Sequence, residues 1–190
     1  MPDQLDATNA SAPQPDSSLT PDCERCCGLC CVAPAFSVST DFAIEKGPGV
    51  PCPNLTNGFR CAIHDGLEAK GFSGCVAYDC YGAGQRVTQL TFKGQDWRRT
   101  PAIAASMFAT FMVMRQLHEL LMYLTEALKL GPAEAVCAEL QLELDQIDRL
   151  TQGNADALME LDVAARKRTV EALLLRVGQA VRDEASRPPP

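Results

Sequence analysis

From residue 103 onward the chain repeats its large apolar residues at spacings of three and four. Ile103, Met107, Phe111, Met114, Leu117, Leu121, Leu124 and Leu128 form one stripe, which predicts a helix of about seven to eight turns. Thr100-Pro101 reads as its N-cap followed by proline at the first helical position. Phe108, Met112, Val113, Leu120 and Met122 widen the stripe, so burial on more than one side is expected. Met107, Met112, Met114 and Met122 interleave with Phe and Leu at helical spacing and read as core packing. Gly131-Pro132 ends this helix and starts the next. The second helix turns Val136, Leu140, Leu144, Ile147 and Leu150 inward, with Glu139, Glu143, Asp145 and Asp148 outward. Asn154 is expected to cap a third, carrying Leu158, Leu161, Ala165, Val170, Leu174, Val177 and Val181. Short connections between three helices predict an antiparallel bundle over residues 85–186. Residues 187–190 end in prolines that cannot continue a helix.

The first part of the chain has a different pattern. Residues 1–22 are polar, rich in Pro, Ser and Asp, and are expected to be a disordered tail because they bury too little apolar area to offset chain entropy. Residues 23–84 show little periodicity and place Gly and Pro throughout, including Gly47-Pro48-Gly49. Such a segment needs a stabiliser other than an aliphatic core, and metal ligation is the obvious one. Residues 86–92 are β-branched and alternating, so a short strand is expected, broken by Gly94. The fold class expected is mainly α: a small irregular cysteine-rich metal-binding segment followed by an antiparallel three-helix bundle.

Cysteine placement changes this picture most. Nine of the ten cysteines lie between Cys23 and Cys80, and only Cys137 falls on a predicted helix. The N-terminal residues have no positive start followed by an apolar run, so no secretory signal is expected. No stretch is long and apolar enough for a transmembrane helix. A cytoplasmic protein is therefore expected, and there dense cysteine reads as metal binding rather than as disulfides. Net charge of −7 argues against non-specific nucleic-acid binding. The basic cluster Arg166-Lys167-Arg168, flanked by acidic residues, reads as a solvated helix face.

Cys23, Cys26, Cys27, Cys30 and Cys31 fall within nine residues. A C-x2-C step sets two thiolates on one turn, both able to reach a metal. Gly28 permits a positive φ that turns backbone amides toward the sulfurs. Cys52, Cys61, Cys75 and Cys80 each stand beside turn formers, in loops able to converge on one centre. Nine thiols, with His64 at C-x2-H spacing from Cys61, exceed a single four-ligand site. Two tetrahedral sites, or one iron–sulfur cluster with extra residues, both fit. His64 also looks like part of a helix start, and His118 on the long helix reads as structural.

Cys27-Gly28-Leu29-Cys30-Cys31, then Cys52-Pro53, Leu55, Cys61, Ile63-His64, Gly74-Cys75 and Tyr78-Asp79-Cys80 resemble the bacterial cysteine-cluster family of zinc- or iron-chelating proteins. That family's signature is C-x2-C-G-x-C-C followed by four spaced cysteines. Its first cysteine would fall at Glu24, and here Cys23 and Cys26 stand on either side. It often carries Tyr at the position of His64. A longer resemblance, through residues 52–67, 71–87 and 114–128, is to the N-terminal module of certain bacterial pentapeptide-repeat proteins, without the repeats. It implies a cysteine-rich module with a helical extension.

The ligand set expected is Cys27, Cys30, Cys31, Cys52, Cys61, Cys75 and Cys80, completed by Cys23 or Cys26. Zn2+ is the first expectation, because thiolate-rich sites of this kind are usually structural zinc. Iron or an iron–sulfur cluster is the alternative. A related cysteine pattern occurs in a flagellin lysine methylase and implies an iron–sulfur enzyme or redox protein as the rival reading. Against it, the chain shows no Gly-rich nucleotide loop, G-x-S-x-G or H-E-x-x-H, and no catalytic residue is assigned. A metal ion is the expected ligand, with a protein partner reached through the helical domain, and neither nucleic acid nor membrane.

Overall fold

The computed structural model describes residues 19–131 and 134–186. The tails expected at 1–22 and 187–190 lie outside this range except for residues 19–22, as does Pro132.

The protein is mainly helical. Irregular chain with 3-10 turns at Cys23–Arg25, Leu29–Cys31, His64–Gly66 and Glu68–Lys70 leads to two short helices, α1 (Ser73–Ala77) and α2 (Ala83–Arg86). A π turn at Val87–Thr91 follows α2, and the longer helices are α3 (Ala104–Lys129), α4 (Glu134–Leu150), α5 (Ala155–Met159) and α6 (Val163–Ala185). Helix α3 is the hub and packs against α2, α4, α5 and α6. Met107, Phe111, Met114, Leu117 and Leu124 are fully buried there, against Leu140, Ile147, Leu158 and Val170. The apolar core does not stop at residue 84: Cys27, Leu29, Val32, Ala83 and Val87 belong to the same cluster.

Several expectations change at this level. Residues 86–92 are not a strand: they continue α2 into the π turn. Val87 and Thr88 are neighbours in sequence and both buried, which an alternating strand with one solvated face does not allow. The Thr88 hydroxyl donates to the Gly84 carbonyl at 2.8 Å, one helical turn back. Gly94 does end the segment, in the left-handed region at φ 76°. Pro101–Ile103 form a 3-10 turn feeding α3, and the Thr100 side chain makes no capping bond. The third predicted helix is two helices, broken between Met159 and Val163. Asn154 caps α5 as expected, accepting from Ala157 N–H at 2.9 Å. Asp162 restarts the chain by accepting from Ala165 N–H at 2.9 Å. Met112 is exposed rather than packed, and Glu143 is buried rather than outward. Arg166 of α6 reaches that carboxylate at 3.4 Å, while Lys167 and Arg168 of the same basic cluster face Glu171 and Asp162, each at 4.0 Å.

No helix among the described residues is long and apolar enough to cross a membrane.

Candidate metal centre

The cysteine-rich segment is built from turns whose backbone groups pair with one another. Phe36 and Lys46 exchange two hydrogen bonds of 2.9 Å across an isolated bridge, and Leu55 pairs with Cys61 across a second. The Cys52 amide donates to the Cys31 carbonyl at 2.9 Å, which locks the 52–61 turn beside the first cysteine run. Gly28 takes φ 71° and opens the 3-10 turn Leu29–Cys31. The positive φ is what favours glycine there; a Cβ would meet a Leu55 methyl carbon at 2.9 Å, which that side chain could move to accommodate.

These turns border a partly open cavity of about 620 Å³. Cys23, Cys26, Cys30, Cys31, Cys61, Cys75 and Cys80 line it, with His64, Arg60, Phe36, Phe59 and Tyr78. Cys52 is buried, its amide bonded to the Cys31 carbonyl, and it is a neighbour of Cys61 and Cys75. The thiols fall into two neighbourhoods. Cys26 Sγ lies against α2, where a Cβ on Gly84 would be 2.6 Å from it. Cys80 lies three residues before the start of α2, and it is a neighbour of Cys23, Cys26 and Cys30. Cys31, Cys52, Cys61 and Cys75 form the other group. Cys30 Sγ and Cys31 Sγ are 4.0 Å apart, at the seam between the two.

Electrostatics distinguish these thiols. Burial raises the Cys26 thiol to about 11, although the amides of Leu29 and Gly28 oppose the shift. Burial raises the Cys75 thiol to about 11, and a thiolate at a neighbouring cysteine would add to the shift. The hydrogen bond between Cys30 and Cys31 splits that pair: it raises Cys30, with burial adding to the shift, and lowers Cys31. The Lys46 ammonium also lowers Cys31.

Lys46 was not found by reasoning from the sequence. It is only 4% exposed. Its ammonium donates to the carbonyls of Val32 at 3.1 Å, Val50 at 2.8 Å and Gly47 at 3.3 Å, and also to that of Pro34. It also lies 4.8 Å over the Phe36 ring, which stacks on Phe42 at 4.4 Å. Burying a lone ammonium is costly. Here the surrounding carbonyls compensate it, and the charge stands beside Cys31 and Cys52. The available signal was Gly47-Pro48-Gly49, a turn able to aim carbonyls at the side chain preceding it.

Cys27 is placed apart from the other eight cysteines of this segment. It is buried in the helical core, with Sγ 3.4 Å from Thr88 Oγ1 and 3.5 Å from Met107 Sδ. Trp97 Nε1 donates to its carbonyl at 2.9 Å. His64 borders the cavity with an exposed side chain 3.7 Å from Asp65. Cys137 sits on α4, and none of the ten cysteines is in a disulfide. His118 is buried on α3 with Nδ1 2.6 Å from the Tyr81 carbonyl, in a structural position.

The donor chemistry fits a thiophilic metal, since soft thiolates select zinc, copper(I) or iron–sulfur clusters. As the side chains stand, no three Cys, His, Asp or Glu among the described residues are gathered about one point able to hold an ion. The thiols surround a cavity, and a metal held by them would require the turns to draw inward.

The fold and site thus define a thiol-lined segment joined to a helical region through one continuous core. The chain is similar to the uncharacterized protein YybG of Bacillus subtilis (strain 168), with 45% identity over 170 residues, or 90% of this chain and 61% of that protein. The chain therefore spans 61% of the length of the curated relative it matches. No family model matches it, and no solved structure matches it.

Proposed function

We propose that residues 23–80 are a metal-binding module with thiolate ligation, zinc first and iron second, in a cytoplasmic protein whose helical region meets a protein partner. One observation carries this reading: seven cysteines spread from residue 23 to residue 80 line a single cavity. Eight thiols, counting the buried Cys52, exceed one tetrahedral site and suit two ions or one polynuclear cluster. The resemblance to the bacterial cysteine-cluster family supports the same chemistry. The long helices with their short connections support an antiparallel bundle. Leu130, Leu142 and Leu175, exposed on that region, support a protein partner.

An iron–sulfur centre is the second reading. Its support is the number of thiols, which exceeds what one ion needs. Elemental analysis of the full chain, purified without oxygen, tests both. Zinc bound in a colourless protein supports the first, and iron with broad absorption near ~400 nm supports the second. Protein that carries no metal, and takes up neither zinc nor iron when offered them under reductant, would sink both.

A further inference from the structure

The hydroxyl of Tyr78 is buried and has no hydrogen-bond partner. Buried polar atoms are almost always paired, and each exception needs a physical account. Among the described residues Thr110 and Thr125 share this condition. Both sit on α3, where a threonine hydroxyl can turn to the carbonyl one helical turn back. Tyr78 has no such local remedy, because its hydroxyl is carried at the far end of a rigid ring.

That ring borders the thiol-lined cavity. The Arg115 guanidinium of α3 lies 5.1 Å over it and is held by the Asp79 carbonyl at 3.3 Å and the Glu119 carboxylate at 3.2 Å. Cys26, Cys30 and Cys80 stand with Tyr78 in the wall of that cavity. A phenol carries its proton at neutral pH and is therefore a donor. What it lacks is an acceptor. A neutral thiol is a weak acceptor, whereas a thiolate bound to a metal keeps negative charge on sulfur and accepts well.

We propose that Tyr78 is a positioning residue of the metal centre, its phenolic O–H donating to a ligating thiolate of the Cys26, Cys30 and Cys80 group once metal is bound. The inference rests on the metal-binding reading and adds to it the group that orients and tunes those sulfurs. No bond is made or broken in the tyrosine; the proton stays on the phenol. Hydrogen bonds to metal ligands of this kind commonly set affinity within a factor of about 10–100. A donor on a thiolate also withdraws electron density from sulfur and moves sulfur-to-metal charge transfer to higher energy.

Cobalt(II) titration of the full chain under reductant and without oxygen is the test, comparing wild type with Tyr78→Phe. Wild type should develop sulfur-to-cobalt absorption. Tyr78→Phe should keep its helical circular dichroism, bind cobalt about tenfold more weakly, and show that absorption shifted to lower energy. Equal affinity and an unmoved band would overturn the role of the hydroxyl while leaving metal binding intact. No cobalt, zinc or iron uptake by wild type would instead overturn the metal reading beneath it. Should Tyr78→Phe fail to fold, the Tyr81→Phe/Tyr123→Phe chain leaves Tyr78 as the only tyrosine of the three. Carbon-13 NMR of its oxygen-bearing ring carbon should then move on zinc addition, and an unmoved resonance counts against the proposal.

Discussion

Between Cys23 and Cys80 the chain is held by backbone pairs between turns and by one buried ammonium, and its thiols face a common cavity. From Ala104 to Ala185 it is held by apolar side chains packed along helices. The helical region satisfies its backbone polar groups internally, so its stability follows from burial and tolerates polar change outside the stripe. The turn region has few aliphatic residues, and its stability depends on specific polar contacts that fail singly. The two nonetheless share one core, because Cys27, Leu29 and Val32 are packed with the helices. The boundary between the two regimes thus passes through the first cysteine run rather than after residue 84.

The largest effect should come from the helical side. Phe111 is fully buried at the centre of α3, and Phe111→Ala should cost about 3–5 kcal/mol, the transfer loss plus the cavity left behind. Urea unfolding followed by circular dichroism reads this directly. A cost below about 1 kcal/mol would mean that the core collapses around the gap and that packing is not what holds this region.

Lys46→Met should come next, at about 2–4 kcal/mol, because it strands carbonyls that now share one ammonium. The loss should be local: residues 32–50 become susceptible to limited proteolysis while most helical signal remains. Metal removal should act in the same place, loosening the turns between Cys31 and Cys80 and sparing the helices. If either treatment melts the helices in step with the turns, the two regions are a single cooperative unit.

How much of this was readable from the residues depends on which physics was at work. The stripe from Met107 to Leu124 was legible because helical burial repeats every 3.6 residues, and all its members are buried. The turn formers beside Cys61 and Cys80 correctly foretold irregular chain that brings those thiols to one cavity, whereas Cys75 reaches it from the short helix α1 rather than from a loop. Residues 86–92 were misread because alternation of β-branched residues reports only a local preference. Packing of both Val87 and Thr88, with Arg86 reaching Thr151 Oγ1 at 3.0 Å, overrides it. Glu143 inside the core was hidden for a similar reason: its partner, Arg166, is twenty-three residues away. The direction of Cys27 could not be read from spacing, since adjacent cysteines turn their side chains to different sides and only the fold decides which side is the cavity.

Cys27 therefore gives a sharper and smaller test of where one regime ends. Cys27→Ser should leave metal content unchanged and lower stability by about 1–2 kcal/mol, because it sets a hydroxyl against Met107. Cys30→Ser should do the reverse, lowering metal content with little change in the helices. Cys137→Ser, on α4, should leave metal content as it is. A drop of metal in Cys27→Ser equal to that in Cys30→Ser would place Cys27 among the ligands and return the boundary to residue 84.

The smallest effect expected is a pH dependence seated where the two regions meet. His118 of α3 is buried, and one nitrogen, Nδ1, lies 2.6 Å from the Tyr81 carbonyl beside Cys80. The neutral ring satisfies this contact by donating its Nδ1–H. Burial lowers the imidazole below its ordinary value of 6.5; the Tyr81 carbonyl and Asp148 oppose the shift, and Arg86 adds to it. The folded protein therefore binds a proton at His118 less readily than the unfolded chain does. Stability rises with pH wherever the unfolded state holds more protons. The contribution of His118 is thus full above pH 6.5 and declines as pH falls through 6.5 toward the lower folded value. His118→Gln cannot titrate but keeps an N–H able to face the carbonyl. Urea midpoints of wild type and His118→Gln, compared from pH 8 down to pH 5, cancel the carboxylates and the exposed His64 common to both. The difference should stay flat above 6.5 and move against wild type below it. Parallel curves would show that protonation of His118 does not loosen the contact between α3 and the end of the cysteine segment, and that the seam is held by packing alone.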